Sequence, residues 1–186
     1  MFQYRCVELA HTFIFENANR GGIYVDATCG HGNDTRFLLN LTEGTGKVLA
    51  FDIQKEAILR TKKTLSDHPF KESAFVYLDS HENIDRYTSP DTVDCIMFNL
   101  GYLPGRNHQI RTEAQTTIST LEKCLMLLAP GGIISIISYY GKDTSSEEKD
   151  ALLSYLPAIS DAFIVFKTEL LNHQNNPPIN FFIIKK

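Results

Sequence analysis

The chain has 186 residues, 43% of them apolar, with 18 basic and 22 acidic side chains and a formal net charge of -4. That length buries one core and leaves no room for two full domains, so residues 1–186 are read as a single domain. No apolar run approaches the ~18 residues of a membrane span, and the acidic balance does not announce a nucleic-acid binder.

The opening stretch, MFQYRCVELAH, carries Arg5, Glu8 and His11 where a signal peptide would be greasy, so a soluble cytoplasmic protein with no membrane partner is expected. Apolar spacing predicts a first helix near Val7–Glu16, then a β-branched run at Ile23–Thr28. A helix over Thr35–Leu41, a strand at Val48–Ile53, a helix over Lys55–Leu65 and a strand at Ala74–Leu78 follow, then a strand at Val93–Phe98. The next helix spans Thr112–Leu128, with Ile118, Leu121, Leu125 and Leu128 on one face; Ala129-Pro130-Gly131-Gly132 should end it before a strand at Ile133–Ser138. A helix near Ser146–Leu156 and two closing strands, Ala162–Leu171 and Ile179–Ile184, complete the chain. This alternation predicts an α/β fold with a doubly wound, mostly parallel sheet and an antiparallel strand at its C-terminal end. Cys6, Cys29, Cys95 and Cys124 lie far apart with no C-x-x-C pair, so buried free thiols are expected, with neither a metal site nor a disulfide framework. His68, alone in a polar stretch, reads as a surface residue.

The chemistry concentrates after the strands. VDATCGHGNDT, from Val25 to Thr35, is a strand breaking into a glycine turn that opens a helix. Gly30-His31-Gly32 resembles the start of a dinucleotide fingerprint, but the third glycine position holds Thr35, preceded by Asp34. A pyrophosphate there would face a carboxylate, whereas Asp26 and Asp34 suit a ligand that carries cations, such as S-adenosylmethionine with its ammonium and sulfonium. Asp52, about 20 residues beyond Gly32, can accept both ribose hydroxyls. Leu78-Asp79-Ser80-His81 places polar groups where an adenine edge would lie, and Phe98-Asn99-Leu100-Gly101-Tyr102-Leu103-Pro104-Gly105 follows the fourth strand. Taken singly, each feature is also explained by turn or cap chemistry; together, in this order at successive strand ends, they point to a ligand.

The series VDATCGHGNDT, FDIQ, LDSHEN, FNLGYLPG and LAPGG resembles the class I S-adenosylmethionine-dependent methyltransferases with their Rossmann-like sheet. More narrowly, it is similar to a small bacterial family labelled rRNA methylases and associated with methylation of 5-aminomethyl-2-thiouridine at the tRNA wobble position. The resemblance implies a cofactor site built from Asp26, Thr28, Gly30, Gly32, Asn33, Asp34, Thr35, Asp52, Ile53, Gln54, Asp79, Ser80, His81 and Asn99. It implies an acceptor site at Asn99, Leu100 and Tyr102, with Tyr139 and Asn175 on the substrate side. It also implies a tRNA anticodon stem-loop as partner and leaves room for a homodimer. His31 and Asn33 exchange the residue types usual in that family's glycine turn; Lys142 stands where a histidine is frequent, and Ile179 where an aromatic is frequent. No histidine role passes to Lys142, and no stacking role to Ile179.

Methyl transfer to an amine requires a neutral nitrogen whose lone pair is held in line with the bond that breaks. The Asn99 side-chain oxygen and the Leu100 carbonyl can each accept an amine N–H, and Tyr102 offers a flat surface to a base. His31, Asp79 and Tyr139 are candidate proton acceptors that the sequence does not rank. Arg106, His108, Arg111 and Lys142 are the candidate phosphate contacts. A small-molecule N-methyltransferase and a noncatalytic cofactor- or RNA-binding module stay open as alternatives, and Asp34 argues against a nicotinamide oxidoreductase.

Overall fold

A computed structural model describes residues 5–100, 114–140, 146–172 and 176–186. Its centre is a sheet of seven strands: β1 (Ile23–Asp26), β2 (Lys47–Asp52), β3 (Ala74–Leu78), β4 (Val93–Leu100), β5 (Leu128–Ser138), β6 (Phe163–Thr168) and β7 (Ile179–Lys185). The strand order is β3-β2-β1-β4-β5-β7-β6. Pairings from β3 through β5 are parallel, while β7 runs antiparallel between β5 and β6. The order reverses between β1 and β4, so the crevice above their carboxyl ends is where an open sheet of this kind receives a ligand.

Helices α1 (Cys6–Asn17), α2 (Asn33–Leu41), α3 (Lys55–Thr64), α4 (Ala114–Leu127) and α5 (Glu147–Tyr155) cover the two faces. Strand alternation sorts the core between them. Tyr24, Val48, Met97 and Phe182 pack toward α1 and α2 with Ile14, Leu38 and Leu39, whereas Val25, Phe51, Phe98 and Ile136 pack toward α4 and α5 with Leu121 and Leu152. Each such side chain taken out of water contributes about 1.5–3 kcal/mol. The Tyr24 hydroxyl is accommodated in this apolar layer with the Asn19 and Leu41 carbonyls both within reach of its single O–H, at 2.7 and 2.9 Å. All four cysteines are buried thiols, and none is in a disulfide among the described residues.

Two expectations need correction. Helix α4 ends at Leu127 and β5 begins at Leu128, so Pro130-Gly131-Gly132 lies inside the strand's run and does not separate the two elements. The pairing with β4 jumps from Val93↔Leu128 to Cys95↔Ile133, and residues 129–132 form a bulge in which Gly131 takes φ +77°. A bulge is where a strand tolerates a proline, which has no N–H to give the ladder. His68 is buried at 4% exposure, not on the surface. Its Nδ1 accepts the Phe70 N–H and its Nε2 faces Asn40 Oδ1 at 3.1 Å, so the ring is satisfied as a neutral imidazole, and burial pushes its pKa down.

Candidate active site

The glycine turn is tied down from three sides. Gly30 and Gly32 take φ +48° and +81°, and Gly32 precedes the first residue of α2, Asn33. A Cβ on Gly32 would lie 2.9 Å from the Thr61 Cα, so the turn presses directly on the α3 backbone. Thr61 Oγ1 donates to the Gly30 carbonyl at 3.3 Å and Thr64 Oγ1 to the His31 carbonyl at 2.8 Å. These two threonines, three residues apart on α3, were missed in the sequence reading; their shared helical face was the available signal. The Gly30 N–H donates to Asp52 Oδ2 at 3.1 Å, linking the ends of β1 and β2.

Asp26 is fully buried beneath the turn and supports it from below, so it presents no surface to a ligand. Its Oδ2 accepts from Thr35 Oγ1 at 2.6 Å and its Oδ1 from the Thr28 N–H at 3.2 Å. Burial, then the neighbouring Asp34 charge, pushes its pKa from 3.8 up to about 7. Thr35, also fully buried, acts through that hydrogen bond. Thr28 Oγ1 accepts the Asn99 N–H at 2.8 Å, which joins the turn to β4.

At the β2 end, Asp52 Oδ1 accepts the Gln54 N–H at 2.9 Å. Each carboxylate oxygen therefore carries one backbone donor and keeps a lone pair for a hydroxyl. Ile53 and Leu78 are both 56% exposed although apolar, and they flank this carboxylate at the ends of β2 and β3. In the next turn Ser80 caps its own short helix by accepting the Glu82 N–H. Asp79 accepts from the Ser80 N–H, Asn83 Nδ2 and the Tyr87 hydroxyl, bonds that hold its pKa below the usual carboxylate range. His81 lies edge-on to Phe98 and hydrogen-bonds the Ala27 backbone; burial lowers its pKa, and its buried Nε2 has no partner among the described residues.

The acceptor end gathers side chains from separate elements. Asp34 Oδ2 accepts from Asn99 Nδ2 at 3.3 Å, and Asp34 Oδ1 meets His11 Nε2 at 2.7 Å. The sequence reading missed His11; its position beside Ala10 on the buried stripe of α1 was the only local hint. Tyr139 is 37% exposed, and its N–H reaches the Leu100 carbonyl at 3.4 Å, so that carbonyl already has one donor. Burial, followed by Cys6 and Asp34, raises the Tyr139 pKa and keeps it a phenol. The His31 ring is exposed and meets the Arg60 guanidinium at 2.6 Å. Tyr102, Leu103, Pro104, Gly105, Arg106, His108, Arg111, Lys142 and Asn175 lie outside the described residues. Among the described residues no group of three or more His, Cys, Asp or Glu side chains could hold a metal, and no helix is long and apolar enough to cross a membrane.

Comparison with known proteins places this geometry in a lineage. The family model described as "Putative rRNA methylase" matches residues 48–184. The chain is 34% identical, over 189 aligned residues, to the chloroplastic tRNA (mnm(5)s(2)U34)-methyltransferase of Arabidopsis thaliana, covering 95% of this chain and 68% of that one. A Clostridium thermocellum structure described as a "putative rRNA-methylase" superposes with a TM-score of 0.93 at 41% identity, covering 100% of both chains. A Streptococcus mutans structure described as a "putative methyltransferase" in complex with SAH gives a TM-score of 0.87 at 35% identity, again over 100% of both. With that family model matched over residues 48–184 and a relative 34% identical across most of both chains, the chain belongs to this rRNA methylase family.

Proposed function

We propose that the protein transfers a methyl group from S-adenosylmethionine to the exocyclic amine of 5-aminomethyl-(2-thio)uridine at tRNA wobble position 34, giving the methylaminomethyl form. The observation that carries the proposal is the Asn99 amide, held at the carboxyl end of β4 with its Nδ2 committed to Asp34. That leaves its oxygen as an acceptor for an amine N–H. The Arabidopsis relative supports the choice of a wobble-uridine substrate.

The residues present fit the cofactor. Gly30 and Gly32 keep Cβ atoms out of the turn, Asp52 retains lone pairs for ribose hydroxyls, exposed Ile53 and Leu78 offer an apolar seat, and the orphaned His81 Nε2 sits at the same edge. When bound there, S-adenosylmethionine supplies an electrophilic methyl. Asn99 aligns the acceptor amine, and the Asp34 carboxylate offsets positive charge on that side of the turn. The three candidate bases have other engagements that favour a reading without a general base: Asp79 accepts from Tyr87, burial keeps Tyr139 a phenol and His31 meets Arg60. In this reading the amine enters neutral, favoured by desolvation. Tyr102 as a stacking surface, and Arg106, His108, Arg111, Lys142 and Asn175 as RNA contacts, complete the proposal.

Asn99→Ala is the test. It should lower kcat on tRNA far more than it weakens cofactor binding, because the lost hydrogen bond aligns the transition state. Wild-type single-turnover rates in the folded variant would remove Asn99 from the chemistry.

A further inference from the structure

The reaction as described uses the Asn99 amide and leaves unexplained why a histidine from α1 reaches into the same corner. His11 is held there by built features. Its neighbours Ala10 and Ile14 are fully buried, and its ring lies flat on Phe37 of α2, with centroids 3.9 Å apart and planes 6° from parallel. From that seat Nε2 meets Asp34 Oδ1 at 2.7 Å, while the other oxygen of the same carboxylate accepts from Asn99 at 3.3 Å. Three elements distant in sequence, α1, α2 and β4, thus meet through one carboxylate with an 8% exposed side chain.

A carboxylate only accepts hydrogen bonds. His11 Nε2 must therefore carry its proton, and the end of Asn99 that faces Asp34 must be the amide nitrogen. An asparagine amide is nearly symmetrical in shape and can turn over, which would present N–H donors to an incoming amine in place of the carbonyl oxygen. Among the described residues it is the Asp34 carboxylate that opposes this, and Asp34 is held on one side by His11. We propose that His11 is a positioning residue for amine methylation: by anchoring Asp34 it sets which end of the Asn99 amide faces the acceptor. The assignment rests on the reaction proposed above. The His11–Asp34–Asn99 contacts are made by the protein's own side chains, so they can be tested apart from the substrate.

Three substitutions separate this role from packing. His11→Phe keeps the ring stacked on Phe37 but has no donor; His11→Asn has a donor too short to reach Asp34; His11→Gln has one long enough. The Asn99 side-chain amide is followed by 1H–15N NMR, its signals identified by their loss in Asn99→Ala, alongside SAH affinity by calorimetry and kcat on tRNA. His11→Phe and His11→Asn should shift the Asn99 amide signals, leave SAH affinity unchanged and lower kcat about 10- to 100-fold, the scale of a small misplacement of reacting groups. His11→Gln should restore both the signals and most of kcat. Wild-type Asn99 signals in His11→Phe and His11→Asn would overturn the proposal, as would a His11→Gln variant no better than His11→Phe. A loss of kcat matched by an equal loss of SAH affinity would also overturn it, since that would mark a merely structural residue. If wild-type protein moves no methyl to tRNA, the substrate reading fails, while the NMR comparison still decides whether His11 sets the amide.

Discussion

Replacing Asp26 by asparagine should stabilise the protein at alkaline pH and flatten its dependence on pH. Asp26 is fully buried, and its folded pKa of about 7 stands well above the ordinary 3.8. A raised carboxyl means that the folded state binds the proton more tightly. The associated stability is complete below about pH 4 and is lost as pH rises through about 7. At about 1.4 kcal/mol per pH unit, the difference between protonated and charged Asp26 amounts to about 4 kcal/mol. Asparagine has the same shape and no charge. Its oxygen can keep the Thr28 N–H, and its amide nitrogen can donate to Thr35 Oγ1, which turns to accept. Urea unfolding of wild type and Asp26→Asn between about pH 4 and about pH 8 reads this residue together with its coupling to Asp34, because groups remote from both cancel in the difference. The variant's advantage should be near zero at the acid end and reach several kcal/mol at the alkaline end. Parallel profiles, or a variant that loses stability at alkaline pH, would refute the view that a strained carboxyl underlies the turn.

Gly32→Ala should destabilise the fold by more than the about 1–3 kcal/mol of a left-handed non-glycine residue, because its Cβ also meets the α3 backbone. Gly131→Ala, with a similar φ of +77° and its nearest atom 3.9 Å away, should lose only the strain, and equal Tm shifts for the two would contradict the contact. Asp52→Ala should weaken S-adenosylmethionine binding by about 1.5–3 kcal/mol by calorimetry, as for hydrogen bonds to a charged group; unchanged affinity in a folded variant would take Asp52 out of the site. Removing Arg106 and Arg111 should reduce the slope of log tRNA affinity against log salt by about 0.7 per arginine, and identical slopes would leave them as ordinary solvated residues.

Local pattern carried most of the architecture. Ala74–Leu78 was legible to the residue because its β-branched and aromatic run is bounded by turns, and the motif order placed the glycine turn, Asp52 and Asn99 at successive carboxyl ends. What was not legible depends on contacts between distant segments. Nothing near His11 announces that residue 34 will be its partner, and nothing near His68 announces the Asn40 acceptor that lets it be buried. Asp26 reads as a ligand contact in a motif, yet the three-dimensional turn folds over it, and one of its oxygens accepts from Thr35. The proline and glycines of residues 129–132 signalled a break, and only the register of β4 against β5 makes that break a bulge within a strand.

The central claim is a methyl transferred to a wobble-uridine amine. Purified protein is incubated with isotopically labelled S-adenosylmethionine and tRNA that carries 5-aminomethyl-(2-thio)uridine, and the digested nucleosides are resolved by mass spectrometry. The label should appear in 5-methylaminomethyl-(2-thio)uridine, and be lost with Asn99→Ala. Label confined to a small-molecule amine, to another nucleoside, or to rRNA supplied in the same reaction would contradict the account.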